Sequence, residues 1–488
     1  MRGFAVGLFG MLPATALAGP IDLYGIGGAQ IGRGGGGVAI LDEPAGVFLN
    51  PAALVRMKRP EAMVGYALLR ADFPDSPDVL WDTNRDGLIN DTDKPLSVAT
   101  DPDKADGFSF ALGRPVGERF ALSIAGFMPN GRLVRIHTFE PSLPNWFLYE
   151  NRAHRYELAV GFGWEQLKGV SLGGAVEMLS RVRYQLDITM NVPVGLASDG
   201  QQLGEIIGPI SLDPHEMVID IVPSLAPIAA LHWDVGEQFP ALDGLLLGAS
   251  WRGAVGLPVD VTVDLQANLG LQANPSAAPV PVTLLAPLRL ALFDHYVPSR
   301  VVVGAGFERR WGRVYAEAQR QGWDQMRLNV ASVQASRVET QLFELAEPEI
   351  QDGNPYDIVL QATWGLRGGG EYRFEPLDGG PLWGPVGLTV RAGAGYEPTP
   401  LVAQGEGTAF LDADRILLAA GAGVSHDDPF NLTNGPMSWD AFAEMGVLAA
   451  GALQPGGDPG RAGAPVDDAP IPIGGRIWSA GLTWSFAY

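Results

Sequence analysis

Residues 477–488 read Ile477-Trp478-Ser479-Ala480-Gly481-Leu482-Thr483-Trp484-Ser485-Phe486-Ala487-Tyr488. Trp478, Ala480, Leu482, Trp484, Phe486 and Tyr488 fall on one face of an extended chain. Ile477, Ser479, Gly481, Thr483, Ser485 and Ala487 fall on the other. A period of two with unlike faces is a β-strand between two environments. The pattern recurs upstream. Tyr156, Leu158, Val160, Phe162 and Trp164 alternate with Glu157, Ala159, Gly161 and Gly163, and the stretches 300–308 and 386–397 behave the same way.

The second face decides which β structure this is. A soluble sandwich would carry Lys, Glu and Thr there. Here it carries Gly, Ala and Ser with an occasional Arg or Glu, which suits the crowded interior of a barrel. Aromatic residues close the apolar face at Trp164, Trp251, Tyr396 and Tyr488, as an interfacial girdle requires. Segments of about ten residues joined by turns and longer loops mark a transmembrane barrel. Closure leaves no unpaired backbone in lipid.

The expected fold is therefore all-β, a transmembrane antiparallel β-barrel. Fourteen strands are predicted near 62–72, 106–113, 119–128, 154–164, 170–182, 226–235, 244–254, 299–308, 312–326, 358–372, 386–397, 414–424, 438–450 and 476–488. An even count puts both ends of the chain on one side, the periplasm. Links at 114–118, 165–169 and 309–312 read as periplasmic turns. Those at 73–105, 129–153, 183–225, 255–298, 327–357 and 453–475 read as long extracellular loops.

Composition narrows the function. Lys plus Arg number 33 and Asp plus Glu 55, for a net charge of −22, which argues against nucleic acid as partner. Zero Cys removes disulfides, thiolate metal sites and Cys nucleophiles. No uninterrupted apolar stretch reaches the ~18 residues of a membrane-spanning helix. Residues 1–18, MRGFAVGLFGMLPATALA, read as a signal peptide: Arg2, an apolar core from Ala5 to Leu12, and Ala16-Leu17-Ala18 as a cleavage site.

Residues 19–59 do not alternate. They hold Gly32-Arg33-Gly34-Gly35-Gly36-Gly37, then Asp42-Glu43-Pro44-Ala45-Gly46, then Asn50-Pro51-Ala52-Ala53-Leu54. No strand–helix unit surrounds the glycines, so a phosphate cradle does not fit. Compact, tightly turning backbone with few bulky side chains does, and such a segment fits a barrel lumen, ahead of a barrel over 60–488. Asn50-Pro51 suits a turn into the first strand.

The stretch IGRGGGGVAILDEPAGVFLNPAAL resembles the N-terminal hatch of FadL-type long-chain fatty acid transporters. Gly248-Ala249-Ser250-Trp251-Arg252, Val297-Pro298-Ser299-Arg300 with Gln321-Gly322-Trp323-Asp324, Arg391 to Pro400, and Asp412-Ala413-Asp414-Arg415 resemble that family's later segments, in order. The resemblance implies a fourteen-strand barrel of the bacterial outer membrane with an N-terminal hatch in its lumen. It implies passive, hatch-gated transport of hydrophobic molecules such as fatty acids, from an apolar extracellular groove through the barrel and out by a gap in the wall. Gly32, Arg33, Gly34, Gly35, Asn50 and Pro51 are the candidate hatch residues. Substrate-binding residues stay unassigned. Outer-membrane lipid is an expected partner, as is the barrel assembly machinery, through the strand ending at Tyr488.

Physical chemistry supports an apolar route, since burial favours a hydrophobic solute by ~0.8 kcal/mol per CH₂. Two long links are rich in apolar residues, at Ile206 to Ile210 with Met217 to Ile219, and at Ala277 to Val282. They read equally as a binding surface or as strand ends that run past the membrane.

Residues 82–93, DTNRDGLINDTD, place oxygen donors at Asp82, Asn84, Asp86, Asn90 and Asp93, with the Leu88 carbonyl between and Gly87 at the sharp turn. This spacing wraps Ca²⁺. A structural Ca²⁺ is expected, stiffening the loop after the first strand. No His-Glu-x-x-His motif occurs, no catalytic residue is assigned and no enzyme is expected. The competing reading is a structural or adhesive surface barrel that binds a partner through calcium-stabilised loops. A third, a barrel enzyme, needs inward Ser and His within hydrogen-bond reach.

Overall fold

The computed structural model describes residues 25–79, 94–100, 104–130, 143–149, 156–195, 211–272, 280–326, 332–333, 358–403, 409–429, 433, 435–453 and 470–488. Fourteen strands close a ring: β1 (Glu61–Asp72), β2 (Ala105–Val116), β3 (Phe120–Pro129), β4 (Glu157–Leu167), β5 (Val170–Gly195), β6 (Ser211–Asp234), β7 (Leu245–Arg252), β8 (Arg300–Arg309), β9 (Gly312–Gln321), β10 (Thr363–Arg373), β11 (Pro385–Glu397), β12 (Arg415–His426), β13 (Met437–Leu453) and β14 (Ile471–Ala487). Each pairs antiparallel with the next, and β14 pairs with β1 from Glu61↔Ala487 to Asp72↔Arg476. The ring has no free edge, so every strand has a partner on both sides.

Alternation sets the two faces of the wall. Val64, Phe108, Leu112, Leu122, Val160, Phe162 and Leu482 point out and are exposed. Met63, Ala67, Ser109, Ala111, Ala125 and Ala159 point in and are buried. An apolar outer belt over a filled interior is the inverse of a water-soluble fold and requires lipid around it. Trp164, Trp251 and Tyr488 are exposed on the outer face, where the alternation places them. Among the described residues no helix is long and apolar enough to cross a membrane.

All fourteen strands lie where the alternation places them, with shifted ends. The largest shift corrects two loops. β5 and β6 run to Gly195 and from Ser211, across most of 183–225. Residues 255–298 hold a hairpin, Val255–Gln272 paired with Val280–Val297. The cause is that the period-two pattern continues through these residues, and Pro193, Pro214, Pro223, Pro258 and Pro287 lie within the strands rather than ending them. The apolar residues 217–219 and 280–282 thus lie in strands.

Candidate functional site

Residues 25–57 lie inside the ring as three short turns: an α-helix at Gly28–Gly32 and 3₁₀ helices at Pro44–Phe48 and Pro51–Arg56. Almost every residue is buried. Short turns suit this backbone, because Gly34 and Gly35 carry φ of 103° and 71°, open to glycine at little cost. Asn50 caps the last turn rather than making an exposed bend. Its Oδ1 accepts from the Ala52 amide at 3.0 Å, and its Nδ2 donates to the Val38 carbonyl at 2.7 Å and the Leu231 carbonyl at 3.1 Å. Pro51, at the first helical position, needs no acceptor.

One side of the segment meets charge. The Arg33 side chain is wholly buried, and its Nη1 donates to Glu371 Oε2 at 2.8 Å. Glu371 of β10 also takes Arg313 at 3.0 Å, Arg373 at 2.7 Å and Arg391 at 3.1 Å. Arg313 reaches Asp42 at 2.8 Å, and Arg391 reaches Asp440 at 2.6 Å. Four guanidiniums thus converge on one carboxylate, Arg33, Arg313 and Arg391 buried and Arg373 partly exposed, and the buried charges are held there by being paired. Glu397 similarly holds Arg367 and Arg415.

The same wall satisfies the segment's backbone. Glu317 accepts from the amides of Gly37 and Val38 at 2.8 and 2.9 Å. Arg367 donates to the Gly35 carbonyl, Arg313 to that of Ile40, and Tyr315 to that of Arg33. A Cβ added at Gly369 or Gly393 would strike the Arg33 carbonyl, and one at Gly173 the backbone of Ala52. The inward glycines are therefore where segment and wall touch backbone to backbone.

The other side is apolar. Ile26, Ile31, Val47, Phe48, Leu54 and Met57 of the segment share one buried cluster with Met63, Ala67, Leu69, Ala111, Ala125 and Phe127 of β1–β3. The cluster continues to the end of the barrel with the long connections. There Phe73 stacks on Trp146 at 4.3 Å, and Leu411, Leu448 and Ile471 join them. Two connections close this end: the Asn145 amide donates to the Ala409 carbonyl, and the Leu411 amide to that of Asn145. Tyr149 and Thr399 hydroxyls donate to Asp412 at 2.6 and 2.5 Å. Burial still holds the Asp412 carboxyl above its ordinary range, although these hydroxyls favour its charge.

Of the residues singled out in the sequence, Gly32, Arg33, Gly34, Gly35, Asn50 and Pro51 all lie in the lumen. Gly32 abuts Gly421, and Gly34 abuts Gly393 and the Tyr315 hydroxyl. The residues at 82–93 and 1–18 lie outside the described ones. The motif segments converge too: Arg391 and Arg415 are network members, and Trp323 is buried with its indole N–H donating to Gln321 at 2.8 Å. Sequence reading missed Glu371, Arg313, Arg367, Glu397 and Glu317. Their signal was an occasional charge on an otherwise small inward face.

No protein-family model matches the chain, and no curated protein does. Among solved structures it is similar to a Pseudomonas aeruginosa FadL homologue, at 16% identity over 97% of this chain and 100% of that one, with a TM-score of 0.51. It is also similar to the P. putida toluene transporter TodX (13% identity, 96% and 99%, TM-score 0.47) and to the CymD monoaromatic hydrocarbon channel (13%, 96% and 99%, 0.46). The closed fourteen-strand barrel of this chain is thus the fold of a FadL homologue.

Proposed function

We propose that this protein is a passive outer-membrane transporter of hydrophobic molecules, long-chain fatty acids or similar, gated by residues 25–57. The observation that carries the reading is the apolar cluster running from Phe73 and Trp146 at one end, past Leu69 and Phe127, to Ile26, Ile31 and Phe48 of the segment. A hydrophobic solute gains ~0.8 kcal/mol per buried CH₂ along such a wall, and a sugar gains nothing. Because the segment fills the lumen, passage requires it to shift, and the charged wall then acts as its anchor. The signal peptide at 1–18 and the aromatic end at Tyr488 would serve export and assembly. Ca²⁺ held by Asp82, Asn84, Asp86, Leu88, Asn90 and Asp93 would stiffen the first long connection, which terbium luminescence on the protein and its Asp86→Ala variant tests.

The test of transport is uptake of labelled long-chain fatty acid by cells lacking their own transporter, with the protein confirmed as a heat-modifiable barrel. Uptake above the empty control supports the reading. No uptake from an assembled barrel removes fatty acids as substrate, and toluene-like aromatics are then the next probe.

A further inference from the structure

The inward carboxylates are held in two ways. Glu371 and Glu397 are gripped by arginines. Glu317 of β9 is buried as well, yet among the described residues it forms no ion pair. Its Oε2 accepts instead from the Gly37 and Val38 amides, at 2.8 and 2.9 Å. Those lengths fit charge-assisted bonds. Two successive amides aimed at one oxygen make an anion-binding concavity. Here the concavity belongs to the luminal segment, and the wall fills it.

Glycine shapes the concavity. Gly37 carries a φ of 104°, which a residue with a Cβ adopts only with strain. A Cβ at Gly36 would strike Glu317 Oε1 and the Tyr315 hydroxyl, so the carboxylate lies directly against bare backbone. Next to it, Ala39, Ile40, Leu246 and Tyr315 form a buried apolar cluster. Two donors beside an apolar flank suit the head of a hydrophobic acid.

A second position stands ready for the Glu317 carboxylate. Arg367 lies directly opposite Glu317 in the β9–β10 pairing, where Cβ atoms are ~4.5–5.5 Å apart. Its Nη1 donates to the Gly35 carbonyl at 2.8 Å and its Nη2 to Glu397. Its Nε is buried and donates to no acceptor, a state that carries a desolvation cost. A carboxylate leaving the amides therefore has a waiting donor one strand away.

We propose that the Gly37 and Val38 amides are a carboxylate site, closed by Glu317 and opened when the carboxylate of a hydrophobic acid takes the amides and Glu317 turns to Arg367. One carboxylate replaces another on the same two donors, so the exchange is nearly balanced. Glu371 has no such exchange open to it, because its departure would strand four guanidiniums. The exchange unties Gly37 and Val38 from β9, and the acid's tail is left to the apolar wall. The proposal rests on the transport reading and narrows its cargo to hydrophobic carboxylates. An uncharged molecule of the same length leaves Glu317 in place.

The chain has no Cys, so a full-length Ala39→Cys reporter, at a wholly buried position beside the site, reads release by maleimide labelling in outer membranes. Oleate is expected to raise the labelling roughly tenfold, since charge-assisted bonds are about twice as strong as neutral ones, and oleyl alcohol to leave it unchanged. Adding Glu317→Gln, which keeps the shape and removes the charge, is expected to give high labelling with no ligand. No rise with oleate would overturn the proposal, as would an equal rise with oleyl alcohol. So would a heat-modifiable Glu317→Gln barrel that still needs oleate. The oleate and alcohol comparison leaves Glu317 intact, so it stands whether or not that variant folds. Uptake by cells separates the two readings. If both probes enter and label alike, the carboxylate site falls and transport stands. If neither enters and oleate alone still raises labelling, transport falls and the site stands.

Discussion

The lumen has two unlike walls. β1–β6 face the N-terminal segment with Met63, Ala67, Leu69, Ala111, Ala125, Ala159 and Ile228, all in one apolar cluster. β9–β13 face it with Arg313, Glu317, Arg367, Glu371, Arg391 and Asp440, bonded to it and to one another. The same short segment satisfies both: its small apolar side chains turn to the first wall, and Arg33 with the backbone of Gly35, Gly37, Val38 and Ile40 turns to the second. Apolar contact is non-directional and tolerates sliding. A buried guanidinium–carboxylate network does not, because moving one member strands the others. One wall therefore suits a slippery path, and the other an anchor.

Breaking the anchor should have the largest effect. Glu371→Gln leaves four arginines without their shared counter-charge, at a cost of roughly 3–5 kcal/mol. The segment should become protease-sensitive within 25–57, and proteoliposomes should leak small sugars. If it stays protected, the charged wall is not what holds it. On the apolar wall, Leu69→Ala removes buried contact worth roughly 2–3 kcal/mol, and should change hydrophobic flux with no sugar leak. Equal leak from both variants would erase the distinction between the walls.

A finer probe is Gly393→Ala, whose Cβ meets the Arg33 carbonyl. Overpacking of this kind costs about 1–3 kcal/mol. Gly451→Ala, with open space around it, should be silent in the same thermal unfolding assay. The smallest effect concerns the cap over the apolar end. The Asp412 carboxyl is raised in the folded protein, so its contribution is complete below the ordinary aspartate range and is lost as pH rises through the raised value. Trp146 fluorescence should report a cap that loosens in that direction, and Asp412→Asn should flatten the pH response.

The outward rows were legible because lipid imposes one rule along the wall. Leu112, Val160 and Leu482 repeat it every second residue without reference to their neighbours. The sites at Arg33 and Asn50 were legible only as members of a segment that breaks the rule. Arg33 reaches Glu371 across 338 positions, and no local pattern joins them. The strand ends at Gly195 and Ser211 were misjudged for a related reason. Alternation shows that a strand exists, but where it leaves the barrel depends on which edge is free to pair.

By itself, then, the amino-acid order determined a fourteen-strand barrel with an apolar exterior, small interior residues and a glycine-rich segment ahead of it. These follow from local periodicity and from the need to pair every backbone group in lipid. The tertiary structure alone decided which inward charges meet, that the apolar cluster gathers chiefly along β1–β6, and that β5 acquires a second partner beyond the ring. Barrel closure sets those outcomes, because it brings strands far apart in sequence to opposite sides of one narrow lumen.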